Sequence, residues 1–222
     1  MGVLLSGPVP IIRPEERAEH VEIPGRSGDL TELEGEQVYN SYIQTAGIMV
    51  RGGYRVRDIF NWLKGSGYVT FHGEPDRRQE ARIIGAITLN KHSRNSDWWE
   101  GECQFYCQPL KEPLTYDLVT ITSSGSNVQN RGDVISRPII TAKANATSMT
   151  VTAGGKSITI TGLTSGNEYI IDSDVMEVTD VARETMLTKN STGSFPVLNP
   201  GANSVTGSGW SKLIIDREER YL

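Results

Sequence analysis

The side chains best suited to chemistry in this chain are three histidines, two cysteines and a few short clusters of carboxylates. His20, His72 and His92 have no histidine four residues away and no cysteine or acidic motif beside them, so the ligand spacing of a zinc site is absent. Cys103 and Cys107 lie in WWEGECQFYCQ, where Trp99, Cys103, Phe105 and Cys107 alternate with Glu100, Glu102, Gln104 and Tyr106. Such alternation is strand periodicity, and positions four apart on one strand are separated by about 13 Å. That distance is too great for a disulfide. Both thiols are therefore read as reduced, core-facing groups of a protein assembled in a cytoplasm. Glu32, Glu34 and Glu36 also alternate, a row of carboxylates about 7 Å apart on one strand face. A row of that kind is a solvated acidic face, not a converging cage for a divalent cation or an acid/base pair.

Asp172-Ser173-Asp174 begins like a calcium loop but lacks the Asp/Asn, Gly and Glu that should follow. An Asx-capped turn is the simpler reading. The triplet Arg131-Gly132-Asp133 matches an integrin-type adhesion motif, but three residues recur by chance, and these lie beside a linker-like stretch. GxSxG, GxxxxGK[ST] and GxGxxG are all absent. The residues therefore point to no metal, no cofactor and no catalytic site.

The elements that would position these groups are mostly strands. The secure exception is a helix over 54–64, where Val56, Ile59, Phe60 and Leu63 form one apolar face and Gly65 and Gly67 supply a left-handed stop. A helix this short is unstable alone in water, so it must lie on a sheet. Around it, VYNSYIQTAGIMV (38–50), YVTF (68–71), 77–89 and 98–107 read as strands, and Pro14 to Arg17 as a turn or a stub of helix. SSGSNVQNRGD (123–133) is the best linker. Beyond it, MTVTAGGKSITI is a hairpin with a tight turn at Gly154-Gly155, and further short strands follow without a helix, as in a β-sandwich. The expected class is mainly β, with an α+β N-terminal domain over 1–127 and a β-sandwich over 128–222.

Whole-chain properties narrow the function classes. The net charge is −5 over 222 residues, and neither half is basic, so wrapping nucleic acid by phosphate neutralisation is not expected. No apolar run is long enough to cross a membrane as a helix, and the N-terminus has no secretory signal pattern.

Six segments in order carry a resemblance: VEIPGRSGDL, IFNWLKGSG, CQFYCQPLKEP, IIDSDVMEV, GSFPVLNPGANSV and the closing WSKLIIDREERYL. Together they make the chain similar to the distal tail proteins of long, non-contractile-tailed phages and prophages of Gram-positive bacteria. The resemblance implies an N-terminal β-sandwich-like domain that carries a helix and closes into a hexameric ring. It implies a galectin-like β-sandwich outside that ring. The implied role is structural and non-enzymatic, an adaptor in the virion joining the tail tube to the tip or baseplate proteins. DNA passes through the axial opening without specific binding. On this reading Pro24, Gly25, Arg26, Gly28 and Asp29 are expected at the subunit interface, where the glycines allow close backbone approach and Arg26 and Asp29 can pair with a neighbour. Glu32, Glu34 and Glu36 are expected to face the pore, since a basic wall would retain phosphates. Exposed strand edges are expected to be covered by the next copy. Members of this family usually begin with a further strand before the stretch matching Gly2-Val3-Leu4-Leu5, so an edge strand is expected to be missing.

The galectin-like fold raises a second function, a carbohydrate-binding module aiding adsorption to the host surface. Sugar sites of that kind need an exposed aromatic among converging polar groups. Trp210 begins an apolar strand and is expected to be buried, and Tyr169 is open to either fate. A tail-associated wall hydrolase is the third reading and lacks an acid/base pair.

Overall fold

A computed structural model describes residues 3–5, 7–21, 24, 27, 30–33, 37–52 and 56–222. The chain divides into two compact units, Met1–Leu114 with Leu222, and Thr115–Tyr221. Both are built from antiparallel strands, and the described residues include a single α-helix.

The first unit contains β1 (Val3–Leu5), β2 (Ala18–Val21), β3 (Leu30–Leu33), β4 (Tyr42–Arg51), α1 (Val56–Trp62), β5 (Ser66–Val69), β6 (Arg77–Lys91) and β7 (Trp98–Pro113). Strands β2 and β3 pair with each other, and the rest form one sheet in the order β1-β4-β7-β6-β5. Strand alternation sends Ala46, Ile48, Val50 and Cys103 to one face, where Val9, Ile59 and Leu63 cover them. Leu63 N donates to Ile59 O at 2.7 Å, and Gly65, at φ 83°, ends the turn as expected.

The helix buries less than its pattern implied. Ile59 and Leu63 are buried, but Phe60 of the same face is 39% exposed. Tyr54 lies outside the described residues. Ile59 and Leu63 enter the core with Ala46, Ile48 and Val50 of β4, while Phe60 lines an open groove with Ile83 and Ile87 of β6. The segment expected as a turn or helical stub at Pro14–Arg17 is extended instead, with Glu16 bridging Tyr39.

The second unit contains β8 (Val119–Ile121), β9 (Ser126–Asn130), β10 (Ile139–Ala144), β11 (Ser148–Ala153), β12 (Lys156–Thr161), β13 (Glu168–Asp172), β14 (Glu177–Asp180), β15 (Ser191–Gly193), β16 (Gly201–Ser208) and β17 (Trp210–Asp216). Two five-stranded sheets, β14-β13-β10-β17-β8 and β15-β12-β11-β16-β9, face each other. Their inward residues form one core, including Ile140, Ala142, Ile171, Val178, Leu213 and Ile215 from one sheet and Met149, Val151, Ile158, Ile160 and Val205 from the other. The hairpin at Gly154-Gly155 forms as expected. Both glycines have positive φ, 58° and 77°, which matches a primed turn that follows strand twist, and Ala153 pairs with Lys156 across it.

The stretch 123–133 differs from its linker-like reading. Ser126–Asn130 is strand β9, paired with β16, with Val128 and Asn130 buried. Composition favours a loop there, but an edge position beside β16 satisfies the backbone and gives Val128 a core to enter. Strand β8 pairs with β17, so the units divide at 114/115 and not at 127. Thr188–Asn190 forms a short 3-10 turn that leads into β15 against β12.

Candidate interaction surfaces

Among the described residues, those singled out for chemistry do not converge. His20 Nδ1 lies 3.1 Å from Thr31 Oγ1 on the β2–β3 hairpin. His92 Nδ1 lies 3.1 Å from Glu100 Oε1, both largely exposed, and His72 sits in an exposed turn after β5. Among the described residues no three His, Cys, Asp or Glu side chains are placed to hold a metal ion. Cys103 and Cys107 are free and buried, as their strand parity required. Their Sγ atoms point to the carbonyls of Ala46 and Phe105 at 3.6 and 3.7 Å. Burial pushes each thiol up to about 11, so neither is a nucleophile at neutral pH.

The aromatic and loop candidates in the second unit are used structurally. Trp210 is 7% exposed and its Nε1 donates to Thr150 O at 3.2 Å. Tyr169 is also buried, and its hydroxyl accepts from Thr164 N at 2.8 Å. Neither offers a platform for a sugar ring. Asp172 Oδ1 accepts from Asp174 N and Val175 N at 3.2 and 3.3 Å, which is an Asx turn.

The Arg131-Gly132-Asp133 triplet is stitched along its backbone to the end of the same unit. Arg131 N donates to Glu219 Oε1 at 3.0 Å, Gly132 N to Asn130 Oδ1 at 2.9 Å and Asp133 N to Arg220 O at 2.9 Å. A Cβ on Gly132 would meet Arg220 O at 2.5 Å. Glycine is required there by the close backbone approach, not by a receptor.

Pro24 sits in an exposed turn, while Gly25, Arg26, Gly28 and Asp29 lie outside the described residues. Glu32 is in β3, in register with Glu19 of β2, and Glu34 and Glu36 lie outside the described residues.

Sequence reasoning missed an ion pair in the first unit. Lys111, 2% exposed, donates from Nζ to Glu74 Oε2 at 2.5 Å. Gln44 and Gln79 are also buried nearby in the sheet, and Tyr42 and Gln79 exchange hydrogen bonds at 3.1–3.2 Å. The available signal was parity, because Lys111 continues the inward alternation of Cys103, Phe105 and Cys107. A charged side chain at an inward position must find a partner.

What remains open is surface. The sheet face away from α1 holds a groove of about 740 Å³ lined by Gly47, Thr88, Asn90, His92, Glu100 and Glu102, among others. Its walls are polar and include two carboxylates. A second groove, about 380 Å³, runs between α1 and β6 and is lined by Phe60, Leu63, Ile83 and Ile87. The sheet edges beside it are only partly covered. Strand β5 pairs with Gln79–Arg82 of β6, and β1 pairs with Ile48–Val50 of β4. Among the described residues no helix is long and apolar enough to cross a membrane.

No protein-family model and no curated protein matches the sequence. The fold does match a solved structure. The crystal structure of the SPP1 Dit (gp 19.1) protein, described as a paradigm of the hub adsorption apparatus in Gram-positive infecting phages, superposes with a TM-score of 0.73 at 16% identity. The match covers 100% of this chain and 92% of that one. The chain therefore has the fold of a distal tail protein over its whole length, as the sequence resemblance implied.

Proposed function

We propose that this chain is a structural component of a phage tail, a distal-tail adaptor whose copies form a ring between the tail tube and the tip or baseplate. The observation that carries this reading is the full-length fold likeness to a phage hub protein, through both units in one order. In this reading the ring holds six copies and is built by the N-terminal unit. The sandwich is carried on it, and DNA passes through without being held. Pro24, Gly25, Arg26, Gly28 and Asp29 meet the neighbouring copy, and Glu32, Glu34 and Glu36 face the passage. The working location is the virion, after assembly in the host bacterium.

Light scattering on the purified chain, followed by negative-stain electron microscopy, tests the reading. The expected result is a discrete species near six chains with an axial opening. A persistent monomer at the highest attainable concentration overturns it. Arg26→Ala is expected to weaken assembly and leave the fold intact, and normal assembly of that variant removes Arg26 from the interface.

A further inference from the structure

The two outward faces of the second unit's sandwich differ in kind. On the sheet β15-β12-β11-β16-β9 the apolar residues Met149, Val151, Ile158, Ile160 and Val205 turn into the core. The alternate positions turn out. On β11 and β12 all of these are Ser or Thr, on β9 they are Asn127 and Gln129, and on β16 they are Ser or Thr apart from Ala202. Lys156, at the hairpin turn, has the inward parity of Ile158. None of the outward positions on the five strands is charged, in a chain where 22% of residues are. The opposite sheet is ordinary by comparison, with Glu168, Lys143 and Lys212 level with one another on three adjacent strands.

We infer that this hydroxyl-lined face binds an uncharged, hydroxyl-rich polymer, a neutral polysaccharide. The registers make the face a lattice. Thr192, Thr159, Thr150 and Ser208 lie level across four strands, and Ser157, Thr152 and Thr206 across three. Rows are about 7 Å apart along each strand, and strands about 4.8 Å apart. Cross-strand bonds preset the hydroxyls. Thr150 Oγ1 and Thr159 Oγ1 lie 3.0 Å apart, and Thr152 Oγ1 donates to Ser157 Oγ at 2.8 Å. Threonine is stiff at χ1, so little side-chain freedom is lost when a ligand settles. Each hydroxyl both donates and accepts, which matches a sugar hydroxyl whichever way it points.

Charge matching selects this partner over others. Nucleic acid and other polyanions need cations to neutralise them, and the outward positions hold none. A protein partner or a lipid surface needs aromatic, arginine or large apolar anchors, and those side chains are absent from the same positions. A neutral polyol is the partner for which neither side must strip water from a charge. Without an aromatic platform each sugar is held weakly, so the ligand is a chain that engages many hydroxyls at once. Trp210 and Tyr169 stay in the core, which distinguishes this surface from a ring-stacking sugar site. The inference goes beyond the adaptor reading and holds for a single copy.

Affinity electrophoresis of the full chain tests the surface, with dextran, mannan or galactan as the neutral polymer cast in the gel and dextran sulfate as the anionic counterpart. Relative to a polymer-free gel, at least one neutral polymer is expected to retard the protein and dextran sulfate is not. Ser157→Glu with Thr206→Glu puts a carboxylate on each side of Thr152 and is expected to weaken binding at least about tenfold. Thr206→Val keeps the shape, removes one hydroxyl and is expected to weaken it about threefold. Glu168→Gln on the opposite sheet is expected to change nothing. Retardation by none of the neutral polymers overturns the proposal, and so does retardation by dextran sulfate alone. Binding that survives the double glutamate variant, or falls equally in Glu168→Gln, overturns it as well. If the double variant unfolds, Thr206→Val decides in its place.

Discussion

The two units spend their strands differently. In the second unit two sheets of equal size bury each other, and Ile140, Ile171, Leu213 and Ile215 meet Met149, Val151, Ile158 and Ile160 across one core. In the first unit the longest strands, β6 and β7, belong to a single sheet whose covering layer is a two-turn helix and the segment around Val9. Its other face is polar, and Ile43, Phe60, Trp62, Tyr68 and Tyr106 remain exposed. A sandwich buries the inward faces of both its sheets, whereas a single sheet with a short cover leaves one face to solvent. The second unit thus has a core enclosed between two sheets, whereas the core of the first is closed by a short helix and a single segment.

Substitutions can break or sharpen that contrast. The largest effect is expected for Trp210→Ala, which empties a core site and frees Thr150 O. It should cost about 3–5 kcal/mol of stability by chemical denaturation while leaving the association constant of the folded chain unchanged. A change in association would show that the enclosed core also governs contacts between copies. Gly132→Ala forces a Cβ against Arg220 O and is expected to cost about 2 kcal/mol. The same loss with no adhesion partner present identifies the triplet as structural.

In the first unit the buried thiols give a smaller, pH-dependent effect. Burial raises their folded values to about 11 from 9.0, so the native state holds its protons more tightly than the unfolded chain does. The resulting stabilisation is complete below about pH 9 and is lost as pH rises through about 11, of order 1 kcal/mol per thiol. Thermal melts between pH 8 and 11 should show this slope, and Cys107→Ala should flatten it. The smallest stability change, within about 0.5 kcal/mol, is expected for Phe60→Ser, a surface site. A large loss there would mean that Phe60 supports its own unit despite its exposure.

Much of this protein was legible along the chain. Gly154-Gly155 specified a primed hairpin because few other residues adopt positive φ at two successive positions. The alternation through Cys103 and Cys107 placed both thiols inside and ruled out a bond between them, because the pleat alone sets that geometry. Trp210 at the head of an apolar strand read correctly as core. Composition misled at 123–133, where Ser, Asn and Gly spelled a linker but β16 offered backbone partners and a place for Val128. The helix pattern overstated burial at Phe60 because periodicity records which face is apolar, not how much of that face a neighbour covers.

Periodicity and turn chemistry are local, so the sequence by itself determined strands, the hairpin, the inward cysteines and the mainly β class. Which strands pair, how far each covers its neighbour and where Lys111 finds Glu74 depend on register between segments far apart in the chain. Those were decided only by the tertiary structure, because hydrogen-bond partners and desolvation are properties of assembled sheets and not of any one stretch.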